Sequence, residues 1–338
     1  MNKTVTRSGY DDLLRRDFAC FARRAFSELN PQTPFLLGWH FEIIAAKLAA
    51  LFEGRIRRLI INLPPRHLKS HLASVSFPAW CLGRKPSAQI LCVSYAQELA
   101  DKLSRDCRRI VASDWYRLIF PTRLLPRHQA VPEFETTAQG CRIATSVGGV
   151  LTGRGADIII IDDPLKPEEA LSETHRQGAN EMAQEDWEVV RLPAIAEDDE
   201  TIIVDSLMGP RCFERRRGEA LHPARESLSM LEQIRRTIGE YNFAGQYQQM
   251  PAPLGGGLVK AAWFRHYTAA ETPQFERVVQ SWDTASKASE LSDFSVCTSW
   301  GIHGKNLYLI DVLRRRMEYP ELKRAVRAQC ERFAADVA

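Results

Sequence analysis

Arg58-Leu59-Ile60-Ile61-Asn62-Leu63-Pro64-Pro65-Arg66-His67-Leu68-Lys69-Ser70 begins as an apolar run and breaks into a Pro-rich turn that ends in Lys-Ser. A phosphate-binding loop starts this way. The strand delivers the turn, and residues Pro65, Arg66, His67, Leu68, Lys69 and Ser70 would wrap the phosphates, chiefly through backbone N–H groups. Lys69 would meet the β- and γ-phosphates, and the Ser70 hydroxyl would ligate Mg²⁺. The usual pattern has glycine where this chain has Leu63 and Leu68. On spacing alone, an ordinary strand–turn–helix is the competing reading.

A second stretch, Ala156-Asp157-Ile158-Ile159-Ile160-Ile161-Asp162-Asp163-Pro164, reads as a buried parallel strand with acids at its carboxyl end. Open α/β sheets bind ligands at that end. Asp162 is expected to hold Mg²⁺, and Asp163 to orient or deprotonate the attacking water of ATP hydrolysis. Asp-Pro also opens ordinary turns, which accounts for Asp163 but not for both acids.

At 338 residues, 45% hydrophobic and 26% charged, the chain has room for two domains and the composition of a soluble globular protein. Its net charge of +3 is small, but basic residues cluster between Arg55 and Arg127 and again at Arg314-Arg315-Arg316. A polyanion partner fits that clustering, and solvated helix faces are the alternative. The eight cysteines show no C-x-x-C pair and no metal-like spacing, so they are expected as reduced thiols. The N-terminus has neither a signal-peptide pattern nor a membrane span, which predicts a cytoplasmic protein with no membrane partner.

Residues from about Asp11 to Leu51 carry apolar positions at helical spacing, broken at Asn30-Pro31-Gln32-Thr33-Pro34. After the loop come a helix near 70–82, a strand at 89–94 and a helix near 97–112. This alternation predicts an α/β fold with a parallel sheet. A Gly-rich turn over 147–155 precedes the acidic strand, and an acid-rich helix is expected over 167–187. Pro and Gly dominate near 250–257, which reads as a hinge. The expected division is an ATPase domain over 1–252 (helical lead 1–54), a linker over 253–275 and a second domain over 276–338. In the last part, strands near 277–284, 294–300 and 306–313 lead to a helix opening at Pro320. A strand ending in a carboxylate, two antiparallel strands and a helix form the entrance to a ribonuclease-H-like sheet. There Asp283 would bind a divalent metal, joined by Asp293. Asp283 as a simple turn cap is the alternative.

Taken together, these residues resemble the large terminase subunit of tailed bacteriophages. Leu63-Pro64-Pro65-Arg66-His67-x-Lys69-Ser70 is similar to that family's altered Walker A. Gly148-Gly149-x-Leu151-Thr152-Gly153-Arg154-Gly155-Ala156-Asp157 with Ile160-Ile161-Asp162-Asp163-Pro164 is similar to its Walker B region. Gly218-Glu219-Ala220-Leu221-x-Pro223, Tyr247-Gln248-Gln249-x-Pro251 and Ser281-Trp282-Asp283-Thr284-Ala285 match later signatures. The resemblance implies a P-loop NTPase sheet with flanking helices, followed by an incomplete ribonuclease-H-like nuclease domain. It implies ATP with Mg²⁺ in the motor, Mg²⁺ or Mn²⁺ at Asp283 in the nuclease, and Arg66 meeting transition-state charge. The implied partners are double-stranded DNA, held by its backbone, the phage portal protein, the terminase small subunit and further copies of the chain in a ring on the portal. The implied location is the host cytoplasm, transiently on the procapsid. Against the family's pattern, the strand that carries its coupling motif is expected to be missing over 187–195, ahead of and beyond Pro193, and because the sequence stops before the nuclease's next strand, a shortened prophage copy with no DNA cleavage of its own is expected. The competing functional readings are a non-catalytic remnant that binds DNA or portal and a helicase-like ATPase. Trp39 and His40 lie upstream, as adenine-contacting residues would, and packing is the alternative for a Trp that precedes an amphipathic helix.

Overall fold

Asp17 separates the first two helices, α1 (Arg7–Arg16) and α2 (Phe18–Leu29), because its carboxylate accepts from the Cys20 N–H at 2.8 Å and caps the second. A computed structural model describes residues 7–147, 155–164, 187–207, 209–250, 263–268, 271–284 and 294–337. They fall in two units, one ending at residue 250 and the other starting at 263. The expected acidic helix, the Gly-rich turn with Arg154, the Pro/Gly hinge and Asp293 lie outside the described residues, apart from a few flanking positions.

In the first unit, α2 buries Phe18, Phe21, Ala22 and Ala25, the i, i+3, i+4, i+7 stripe of an amphipathic helix. That stripe packs with α3 (Trp39–Phe52) and α4 (Phe77–Arg84) into the main core. Trp80 is fully buried there, between Phe18 and Phe52, and donates from its indole N–H to the Arg15 carbonyl at 3.1 Å. The polar tip therefore keeps its partner while the ring is desolvated.

Strand β1 (Leu59–Asn62) leads into the loop, and β2 (Gln89–Ser94) and α5 (Gln97–Ala112) follow where the periodicity places them. After α6 (Asp114–Ile119) come β3 (Leu124–Gln129), β4 (Glu133–Thr136), β5 (Cys141–Ser146) and β6 (Ile158–Asp162). The five-stranded sheet has the order β3-β4-β5-β2-β6. Only β5, β2 and β6 run parallel, whereas β3–β4 and β4–β5 are antiparallel, so the expected parallel sheet is found in three strands and carries an antiparallel edge. The connections after β3 and β4 are too short for the crossover a parallel pair needs. Strand β6 is also less buried than its isoleucines imply: Ile158 and Ile160 pack on the core, while Ile159 and Ile161 are 61% and 50% exposed.

A further strand, β7 (Glu188–Arg191), pairs parallel with β1 in a separate two-stranded ladder. The expectation of no strand before Pro193 is therefore wrong. Val189-Val190 is a short β-branched pair, and tertiary pairing extends it beyond the ladder: Glu188 N–H donates to the Arg58 carbonyl at 3.0 Å and Leu192 N–H to that of Asn62 at 3.1 Å. A hairpin of β8 (Glu200–Ser206) and β9 (Gly209–Arg215) and the helices α7 (Leu228–Ile238) and α8 (Glu240–Gln246) complete the unit.

The second unit is an antiparallel meander of β10 (Arg277–Asp283), β11 (Ser295–His303) and β12 (Asn306–Arg315), followed by α9 (Tyr319–Phe333). The β11–β12 turn uses Gly304 at φ 59°, as its His-Gly-Lys sequence requires. Buried Gln280 ties sheet to helix, its amide donating to Ser299 Oγ at 3.1 Å and to the Gln329 carbonyl at 2.9 Å.

None of the eight cysteines is in a disulfide. Among the described residues, no helix is long and apolar enough to cross a membrane.

Gly140 lies where the β4–β5 turn passes over the chain before β2, and a Cβ there would overlap the carbonyl oxygens of Pro86 and Ala88. Backbone atoms cannot swing aside as a side chain can. Gly140→Ala is expected to cost about 1–3 kcal/mol, read as a lower denaturant midpoint with unchanged slope.

Candidate functional site

The loop between β1 and the following helix is shaped by its two prolines and two left-handed residues. Leu63 and Pro64 are buried, and Arg66 and Leu68 take φ values of 63° and 64°. A side chain in that region costs about 1–2 kcal/mol per residue, which is why glycine is the usual occupant. Leu68 thus supplies the backbone conformation of the glycine it replaces, and its side chain is partly buried against the core. Pro65 and Arg66 are exposed, and His67 is buried.

Immediately beyond the loop, His71–Ser76 forms a π-helical turn rather than an α-helical one. A buried guanidinium stabilises it: Arg142 on β5 is fully inaccessible and donates from Nη2 to the Ser74 carbonyl at 3.0 Å, a carbonyl that an α-helix would hold in its own ladder. Ser74 Oγ then donates to Asp162 Oδ2 at 2.9 Å. Ser70, one turn earlier, is close enough to the Asp162 carboxylate for its hydroxyl to favour the ionised form.

Strands β5, β2 and β6 end level with one another at Ser146, Ser94 and Asp162, and the Val147 N–H closes this rim onto the Ser94 carbonyl at 2.9 Å. Asp162 is only 4% exposed. Burial pushes its carboxyl above the usual range and the neighbouring Asp163 adds to this, while Lys69 and the Ser70 and Ser74 hydroxyls oppose it. Asp163 turns the chain at φ 47°, a conformation aspartate tolerates better than most residues, and its carbonyl accepts from the Tyr95 N–H at 3.1 Å. Its carboxylate forms an ion pair with Lys69.

Lys69, Ser70, Asp162 and Asp163, drawn from two distant stretches of the sequence, therefore converge at one rim. The donor set fits a magnesium ion chemically, since a carboxylate and a hydroxyl are the hard oxygen ligands it takes. Among the described residues there is no group of three or more His, Cys, Asp or Glu side chains arranged to hold a metal. The oxygens of a phosphate would have to complete such a shell. Asp283, at the exposed end of β10, belongs to the other unit. With Asp293 undescribed, the described residues of that unit do not make up a two-metal site, and no hydrolytic step is derived there.

Trp39 stacks on Phe213, with ring centroids 6.2 Å apart, and the Arg215 guanidinium lies 5.5 Å from its ring centroid, so it packs the β8–β9 hairpin onto α3. His40 is buried beside His67 and His222. Ser74 and Arg142 escaped the sequence reading. The i, i+4 spacing of Ser70 and Ser74 was the visible signal for the first. Nothing local marked Arg142, which lies on a strand not expected from the sequence.

No family model matches the chain, and no curated protein does. Among solved structures, it is similar to the large terminase of a thermophilic bacteriophage in complex with ADP, at 11% identity and a TM-score of 0.34, over 84% of this chain and 73% of that one. A second crystal form of the same terminase gives 10% identity and a TM-score of 0.38, over 88% and 74%. A third structure, in complex with ATP-γ-S, gives 13% and 0.32, over 84% and 73%. Scores this low are not evidence of a shared activity.

Because burial raises the Asp162 carboxyl in the folded state, the folded chain retains that proton to higher pH than the unfolded chain does. This group's ionisation therefore lowers stability as pH rises from the ordinary carboxylate range through its raised pKa, and the loss persists above it. In metal-free buffer, Asp162→Asn is expected to unfold at higher denaturant than the parent at neutral pH and to converge with it in acid.

Proposed function

We propose that this chain is an ATP-hydrolysing motor of the terminase large-subunit kind, which drives double-stranded viral DNA into a procapsid. The observation that carries the reading is the ion pair of Lys69 with Asp163 at the same rim as the buried Asp162, which Ser74 holds. It is supported by the altered Walker A, Walker B and later signatures in the sequence.

The mechanism follows from what each side chain must exchange. Before nucleotide binds, Lys69 neutralises Asp163, with the two side chains 27% and 46% exposed. A pair that open to water is worth only about 0–1 kcal/mol, so phosphate oxygens displace the carboxylate from the lysine at little cost. Lys69 then lies on the β/γ-phosphates, and Asp163 is released to accept a proton from, or orient, the attacking water. Arg66, exposed in the loop, is the cation available to meet charge developing on the transferred phosphoryl group. Ser70 and Asp162 would hold Mg²⁺, which when bound supplies charge neutralisation between the phosphates. Asp162 is held for that role by Ser74, which Arg142 in turn braces.

In this reading the DNA is gripped through its phosphates by the basic clusters between Arg55 and Arg127 and at Arg314-Arg315-Arg316. Copies of the chain work as a ring on a portal protein, with DNA handed over by a small subunit. The second unit stands where a nuclease would, with Asp283 and Asp293 as its first carboxylates.

Lys69→Ala and Asp162→Ala are each expected to reduce DNA-stimulated ATP turnover by at least about 100-fold, the scale of losing one charge-stabilising contact at a reacting centre. A steady-state phosphate-release assay with and without linear DNA checks this. Turnover that both variants leave at the parent level would refute the motor reading.

A further inference from the structure

Between Arg55 and Arg127 the guanidinium groups divide into those already engaged and those left open. Arg55 pairs with Glu53, Arg84 lies over the rings of Phe52 and Trp80, and Arg123 donates to the carbonyls of Phe120, Thr122 and Arg117. Arg58 and Arg108 have interactions of their own. The side chains of Arg105 and Arg109 have none among the described residues, and both are exposed. Arg57, Arg117 and Arg127 are exposed and open too, but they lie in three different places, before β1, on α6 and on β3.

Helix α5 buries Ala100, Leu103, Ser104, Cys107, Ile110 and Val111. With about 3.6 residues per turn, the positions opposite that stripe are 98, 102, 105 and 109. Glu98 lies in the first turn, where an acid suits the helix N-terminus. The other three are cations: Lys102, Arg105 and Arg109, spaced three and four residues apart. Lys102 pairs with Asp106 at 3.1 Å, but the lysine side chain is 63% exposed, so phosphate oxygens displace the acid at little cost. The three span about 10 Å of helix axis, over which one strand of a duplex presents about three charges. Helix α5 exposes no large apolar side chain, so this face lacks the apolar anchors of a protein interface. The helix also starts beside the candidate site, since the N–H of Tyr95, just before it, donates to the Asp163 carbonyl at 3.1 Å.

We propose that Lys102, Arg105 and Arg109 form a contact line along α5 for the phosphates of double-stranded DNA. The inference rests on the DNA-handling part of the motor reading above and deepens it by naming the residues. Contacts of this kind fix the duplex without reading its sequence, and each releases counterions from it, so their signature is salt dependence. A face that is merely solvated has no such signature.

Arg105→Gln combined with Arg109→Gln removes two charges that have no partner to lose and keeps good helix formers in place. Its control, Arg16→Gln combined with Arg236→Gln, removes the same charge from exposed arginines already paired with Asp12 and Glu232. Fluorescence anisotropy on a short linear duplex, repeated over a range of salt concentrations, is expected to show the α5 variant bound more weakly on unrelated sequences alike. Its slope of log affinity against log salt is expected to be shallower by about 2, one for each lost phosphate contact. The control is expected to keep the parent's slope, and the α5 variant to keep the parent's unfolding midpoint. A parental slope in the α5 variant, equal flattening in the control, or lost binding to polyglutamate with duplex binding intact would overturn the proposal. So would a parent that does not bind the duplex. A parent that binds it through these residues without turning over ATP would instead refute the motor reading and leave the contact line standing.

Discussion

A backbone that must pass twice through the left-handed region within three residues, at Arg66 and at Leu68, is the constraint on which the site depends. Neither residue has the freedom of glycine, so the conformation is stable only because the surrounding packing imposes it. Leu68 is partly buried against the main core, and His67 is clamped in the imidazole cluster. Two prolines before them stiffen the entry to the turn. The same core that carries Trp80 and the α2 stripe therefore also shapes the loop, and α2, α3 and the segment around His222 are as much a part of the site as the lysine.

Downstream the constraint continues through the π-helical turn. Widening the helix at His71–Ser76 brings Ser74 within reach of Asp162, and a fully buried arginine makes this possible. Arg142 Nε and Nη1 have no partner among the described residues, an expensive arrangement in a low-dielectric interior. Such costs are tolerated where a specific geometry is worth more than stability. The raised pKa of Asp162 is part of the same compromise, since the carboxylate is buried with hydroxyls rather than a full counter-charge.

Much of this was legible in the residues. Strand β2, helix α5 and the β10–β11–β12 meander were readable because their hydrophobic periods are long and their turns carry Gly, Pro or Asn. Lys69-Ser70 and Asp162-Asp163 stood out because a lysine-serine pair and acids that follow apolar runs are what a phosphate site would need, and the fold brings Lys69 and Asp163 together. What escaped was set by tertiary pairing. Strand β7 has only Val189 and Val190 as its apolar signal, and the antiparallel β3–β4 edge follows from connection length rather than from composition. The isoleucines of β6 misled, because an unbroken apolar run does not reveal that one face stays exposed. His40, His67, His222 and Glu226 come from distant segments and show no spacing rule, so only the fold brings them together.

The contact between Lys69 and Asp163 joins the group that would recognise fuel to the group that would activate water. Until a ligand intervenes, each occupies the other. In the motor reading proposed above, phosphate oxygens that took the lysine would release the acid, so recognition and reactivity would begin in a single exchange of partners.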